Sequence, residues 1–152
     1  MKHNPLISIV LAVVSILLVS LACRLPGPPR ECTNFTIPPN GNWNASLFDT
    51  GIELNAGQTV IFSAKGSVRP STYSDVFSGP DGTTEVENWQ VSYSFNSDWP
   101  HEAVIARIGG GDYILIGSGQ QFTVESGGTL ELGVNDTDPG NNEGSFEVEI
   151  CR

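Results

Sequence analysis

Positive charge is scarce in this 152-residue chain, with seven Lys+Arg against seventeen Asp+Glu and a formal net charge of −10. A phosphate backbone or an anionic lipid surface calls for the opposite balance, which excludes nucleic acid as a partner and leaves a membrane reachable only through an anchor. Catalytic side chains are equally sparse: there are two histidines, three cysteines and no Gly-x-Ser-x-Gly nucleophile elbow. Hydrolysis by paired carboxylates is the remaining enzymatic route. The pair on offer, Glu85 and Glu87, lies in a polar, turn-like stretch that reads as solvated, so the expectation is a protein that is not an enzyme. Also missing is any sustained 3.6-residue apolar period, the signature of amphipathic helices.

The longest hydrophobic run, Leu6 to Leu21, falls short of the ~20 residues of a stable membrane span. Lys2 and His3 precede it and Ser20-Leu21-Ala22-Cys23 closes it. A short basic region, an apolar stretch and a small residue before the cut describe an export signal. Cysteine directly after Ala22 resembles a bacterial lipobox, so residues 1–22 read as a signal peptide and Cys23 as the lipidated first residue. The domain is then expected outside the cytoplasm, held to the cell envelope by lipid alone. Loss of Lys2 leaves six Lys+Arg against seventeen Asp+Glu, a net charge of −11.

Residues 23–31 read as a stiff tether, because Leu-Pro-Gly-Pro-Pro-Arg from Leu25 to Arg30 suits neither a helix nor a central strand. With Cys23 lipidated, Cys32 and Cys151 remain, one at each end of the 32–152 domain. An even pair in an oxidising compartment reads as a disulfide. If the first and last strands are neighbours, this bridge staples the termini, a contribution of ~4–5 kcal/mol in the chain-entropy model. The Asn-x-Ser/Thr sequons at Asn34, Asn44 and Asn135 are incidental in a bacterial lipoprotein.

Within the domain the strand candidates are 32–37, 59–68, 89–95, 103–108, 113–116, 122–125, 130–134 and 145–150. Many short strands separated by Gly, Pro, Asn and Asp predict an all-β fold, an antiparallel sandwich or jelly roll. Trp89, Val91, Tyr93 and Phe95 alternate with polar neighbours, which predicts that they face the core, while Trp99 or Trp89 could offer a platform to a sugar ring. His101, at the start of a strand, reads as a surface residue.

Between Val134 and Phe146 runs Asn-Asp-Thr-Asp-Pro-Gly-Asn-Asn-Glu-Gly-Ser. The flanks alternate apolar and polar with period 2, so the segment reads as joining two antiparallel strands. Pro139-Gly140 supplies the turn, and the surrounding acids and amides exceed what a turn needs. Density alone leaves a solvated hairpin tip and a cation-binding loop equally open. The spacing is not that of an EF-hand, since Gly140 stands where the third ligand belongs and the flanks are strands. A calcium site here must complete its shell from a second segment.

Several fragments, taken in order, resemble the PA-IL (LecA-like) calcium-dependent galactophilic lectins: Asp49-Thr50-Gly51-Ile52, Ala56-Gly57-Gln58-Thr59-Val60, Ser63-Ala64-Lys65-Gly66, Gly79-Pro80-Asp81-Gly82, Ala103 to Gly109, Ile116-Gly117-Ser118, Leu132 to Asp136 and Asn141 to Phe146. The resemblance spans nearly the whole domain and implies a galactose-binding-like jelly roll. It implies a Ca2+ site made by the side chains of Asp136, Asn141 and Asn142, the carbonyl of Asp138, and the carbonyl of Pro70, with Arg69 as the alternative. It further implies that two vicinal sugar hydroxyls are taken directly by calcium, with Asp136, Thr137 and Asn141 hydrogen-bonding them. The family's His-x-x-Gln grip on the exocyclic hydroxyl is missing. Ungapped counting lands on Val86 and Trp89, and a shift of one residue uses Gln90, so Trp89 and Gln90 are the expected further sugar contacts. The expected partner is carbohydrate, with galactosides first among the candidates. The alternative is a calcium-stabilised envelope or adhesion module that docks protein and binds no sugar.

Overall fold

The computed structural model describes residues 30–38, 41–70, 75–84 and 91–152. The leader, Cys23, Trp89, Gln90, Glu85 and Val86 lie outside the described residues. Contacts divide the chain after Arg30, and Glu31–Arg152 is compact by itself.

Among the described residues of this unit there are eight strands: β1 Cys32–Ile37, β2 Leu47–Leu54, β3 Thr59–Arg69, β4 Val104–Ile108, β5 Tyr113–Leu115, β6 Gly119–Thr123, β7 Gly128–Val134 and β8 Glu143–Cys151. They form two four-stranded antiparallel sheets, ordered β1-β8-β3-β6 and β2-β7-β4-β5. Two sheets of this interleaved order make a small antiparallel jelly-roll β-sandwich, the fold that the resemblance implies and the strand pattern allows. The alternation in the sequence becomes the interface between the sheets: Val60, Phe62 and Val68 of β3 and Phe146, Val148 and Ile150 of β8 face Leu130, Leu132 and Val134 of β7 in one buried cluster. The first and last strands are neighbours, with Cys32 paired to Cys151, and the two cysteines form the disulfide.

Two expectations fail. Residues 91–95 form no strand, Tyr93 is 43% exposed, and Phe95 packs on Tyr113 at 4.7 Å between ring centroids. Among the described tryptophans Trp43 is buried, its Nε1 donating to the Gly144 carbonyl at 3.2 Å. The loop after Val134 is also no hairpin, because β7 and β8 belong to different sheets. It crosses from one layer of the sandwich to the other, at the end of β8 remote from the disulfide. β2 is the strand that the period-2 pattern did not flag. Its pairing with β7 shifts register between Asp49 and Glu53, and Gly51 takes a positive φ of 70° there.

Candidate functional site

The crossover begins where β7 ends. Asn135 is fully buried, and its side chain ties the preceding segment down: Nδ2 donates to the carbonyls of Asn96 (2.9 Å), Trp99 (3.3 Å) and Pro100 (3.1 Å), while Oδ1 accepts from the Asn96 amide (3.0 Å). An amide so engaged is closed to glycosylation in the folded domain. Thr137 makes a second tie, with its backbone N–H and its Oγ1 both donating to the Tyr93 carbonyl at 2.6 and 2.8 Å. These bonds bring the irregular 93–102 stretch against the loop.

Asp136 stands between the two ties, 2% exposed. Its Oδ1 accepts the Asp138 amide at 2.8 Å, an Asx-type turn that curls the loop around the carboxylate. Its Oδ2 accepts from Asn142 Nδ2 at 3.1 Å. Residues Pro139–Asn141 make one 3-10 turn, with proline at its start, and the Asn142 amide donates to the Pro139 carbonyl at 2.9 Å. This turn returns the chain to β8 with Asn142 pointing inward and Asn141 outward. At Gly144 the backbone adopts φ 100°, and a Cβ there would overlap the Ser67 carbonyl, so glycine is required as β8 leaves the loop.

The structure thus brings Asp136 and Asn142 into direct contact. Asp138, Thr137 and Asn141 lie exposed on the same loop. Pro70 is buried one residue beyond the Arg69–Glu143 pair that ends the β3–β8 ladder, at the end of β8 from which the crossover loop leaves. Arg69 itself pairs with Glu143 at 2.5 Å and lies over the exposed Phe77 ring.

Two members of the cluster were not expected. His101 is buried, contrary to its reading as a surface residue: Nδ1 is 2.9 Å from Ser94 Oγ, and Nε2 is 3.8 Å from Glu102 Oε1. Burial pulls its imidazole below the ordinary histidine range, opposed by the Asp136 charge and by a hydrogen bond from the ring to the Asn135 backbone carbonyl. Glu102 is completely buried, and its Oε1 accepts from the same Asn142 Nδ2 at 2.8 Å. Burial first, then the neighbouring charge of Asp136, hold the Glu102 carboxyl well above the usual carboxylate range, with the Asn142 amide opposing. Glu102 Oε2 and Asn142 Oδ1 are buried without a hydrogen-bond partner. One ligand atom each from His101, Glu102 and Asp136 lies within 4.8 Å of the others.

A sequence signal for these residues is faint. His101-Glu102 immediately precedes Ala103-Val104-Ile105-Ala106, all of them fully buried. An acid abutting a run buried on both faces must either be buried with it or turn sharply away.

No family model matches the chain, and no curated protein matches it. Among solved structures, the chain is similar to one described as the EclA N-terminal domain, a PllA-like lectin. The two share 23% sequence identity with a TM-score of 0.58, and the match covers 78% of this chain and 92% of the other.

Proposed function

We propose that this chain is a calcium-dependent carbohydrate-binding domain of the galactophilic lectin type, exported and anchored at the bacterial cell envelope through lipid on Cys23. One observation carries the reading: the buried Asp136–Asn142 contact, placed on the sheet-to-sheet crossover of a sandwich whose fold is shared with a PllA-like lectin. The side chains of Asp136, Asn141 and Asn142, with the carbonyls of Asp138 and Pro70, form a set of oxygen donors that suits a hard divalent cation. The donor chemistry fits the group, since Asn142 Oδ1 is a buried acceptor with nothing to accept and Asp136 lies among acids and amides.

Calcium, when bound, supplies positions for two vicinal hydroxyls beyond its protein oxygens. Asp136 and Asn141 accept hydrogen bonds from those hydroxyls, the charge-assisted bond to Asp136 being the stronger. Thr137, an exposed residue, lies beside them, and Tyr93, whose carbonyl takes both Thr137 donors, is half-exposed at the rim. Trp89 and Gln90 are the expected further contacts, and galactosides the first ligands to try. The domain holds its ligand and does no chemistry on it.

A second reading keeps the cation and drops the sugar, giving a calcium-stabilised module that docks protein. The missing His-x-x-Gln element favours it. Thermal unfolding of residues 31–152 in EDTA, in calcium and in calcium with a panel of galactosides and other glycans separates the two. Calcium at a hundredfold excess over its Kd should add about 2.7 kcal/mol of stability, a binding glycan should add more, and Asp136→Ala should abolish both shifts. Absence of a calcium shift, or its survival in Asp136→Ala, overturns the cation site. A calcium shift that no glycan extends leaves the docking module.

A further inference from the structure

The geometry points to Glu102 as a second carboxylate ligand of the Asp136 cation site, an inference that rests on the calcium reading above. Glu102 is fully buried, and among the described residues the lysines and arginines found in ion pairs meet other acids: Arg69 meets Glu143, Arg107 meets Glu131, and Arg152 meets Glu31. What stands between the two carboxylates is the Asn142 amide, whose Nδ2 donates to Glu102 Oε1 and to Asp136 Oδ2 at once. A neutral N–H2 thus occupies the place where positive charge belongs.

The remaining atoms point the same way. Glu102 Oε2 and Asn142 Oδ1 are both buried and both unpartnered. Amide nitrogen and oxygen exchange places by rotation about one bond, and which is which is assigned from the hydrogen-bond network. Turned over, the Asn142 amide aims Oδ1 where Nδ2 now lies, so that Asp136, Glu102 and Asn142 present three oxygens to a common centre. The alternative, a purely structural Glu102, leaves Oε2 without a function at a position where a carboxylate is costly. The backbone adds to that cost, because Glu102 sits at φ 63°, a conformation uncommon outside glycine. A side chain retained against both penalties, with an oxygen to spare, is accounted for by a ligand that needs it. Two carboxylates in place of one raise the charge of the cage, and ligand charge is one of the means by which calcium sites are tuned.

Calcium titration by calorimetry, and terbium luminescence lifetimes in H2O and D2O, test this on residues 31–152, with far-UV circular dichroism confirming the fold of each variant. Glu102→Gln keeps the shape of the side chain and should weaken calcium binding by about 10- to 100-fold. In Glu102→Ala the terbium should carry about one more water, the ligand that takes the vacated position. Unchanged affinity in Glu102→Gln overturns the inference. So does weaker binding with an unchanged water count in Glu102→Ala, which would make Glu102 a distant charge. The parallel variant Asp136→Ala separates the two levels: if it binds calcium like the parent, the cation site itself is misplaced, whereas if it loses calcium while Glu102→Gln does not, Glu102 alone is misassigned.

Discussion

The two ends of β8 are built on opposite plans. At Cys151 the strand is closed by a disulfide to Cys32 and by reciprocal backbone bonds between Glu31 and Arg152 at 3.0 and 2.9 Å. At Glu143 it emerges from the crossover loop, and around that end gather the buried polar side chains of the described residues: Ser78, His101, Glu102, Asn135, Asp136 and Asn142. Ser78 and Asn135 are explained by architecture, since the Ser78 backbone bridges to Val68 and Asn135 holds the 96–100 segment. Glu102, Asp136 and Asn142 are not, because a sandwich closes without burying two carboxylates. One end invests in holding the chain together, and the other holds charge that folding alone does not call for.

The sharpest break of that contrast is to remove the staple. Replacing Cys32 and Cys151 together by serine should lower stability by about 2–5 kcal/mol, read by denaturant unfolding, while the calcium-induced shift survives. Loss of the calcium shift in a variant that remains folded would mean the two ends are coupled.

A smaller effect comes from pH. The folded Glu102 carboxyl titrates well above its ordinary value of 4.5, so above pH 4.5 the native state holds a proton that the unfolded chain releases, and stability falls as pH rises. His101 works the other way, costing stability as pH falls below 6.5. Glu102→Gln removes the first contribution and leaves the second, so in EDTA the parent should lose melting temperature relative to the variant as pH rises above 4.5. A parent slope equal to that of the variant would show that Glu102 holds no excess proton.

The smallest effect should come from Thr137→Ala, which deletes the Oγ1 bond to the Tyr93 carbonyl but spares the backbone bond. A cost of about 0.5–1.5 kcal/mol is expected, measured by urea unfolding without calcium. A larger loss would show that the 93–102 segment hangs on that hydroxyl.

Period-2 alternation in 130–134 and 146–150 was enough to place two central strands, and turn residues between many short runs were enough for a sandwich. β2 escaped because its bulge at Gly51 breaks the alternation by which strands are recognised. The 91–95 aromatics misled for the opposite reason: alternation arose where the backbone is tied through the Tyr93 carbonyl to Thr137 and forms no strand. Asp136 and Asn142 were legible because they share a loop. Glu102 was not, because it meets Asp136 only when β4 and β7 pair and the Ala103 carbonyl takes the Asn135 amide. Local composition has no means of expressing that juxtaposition.

The disulfide has a mechanical consequence. Glu31 leads into β1 at one end of β8 and the crossover loop leaves from the other, so a pull applied between Glu31 and the crossover loop runs along the length of β8. The ladders to β1 and β3 are then loaded in shear, many bonds at once. Cys32–Cys151 passes the load directly into β8 and keeps β1 from being peeled away one bond at a time. The domain is braced along the axis on which a tethered adhesive contact would be strained.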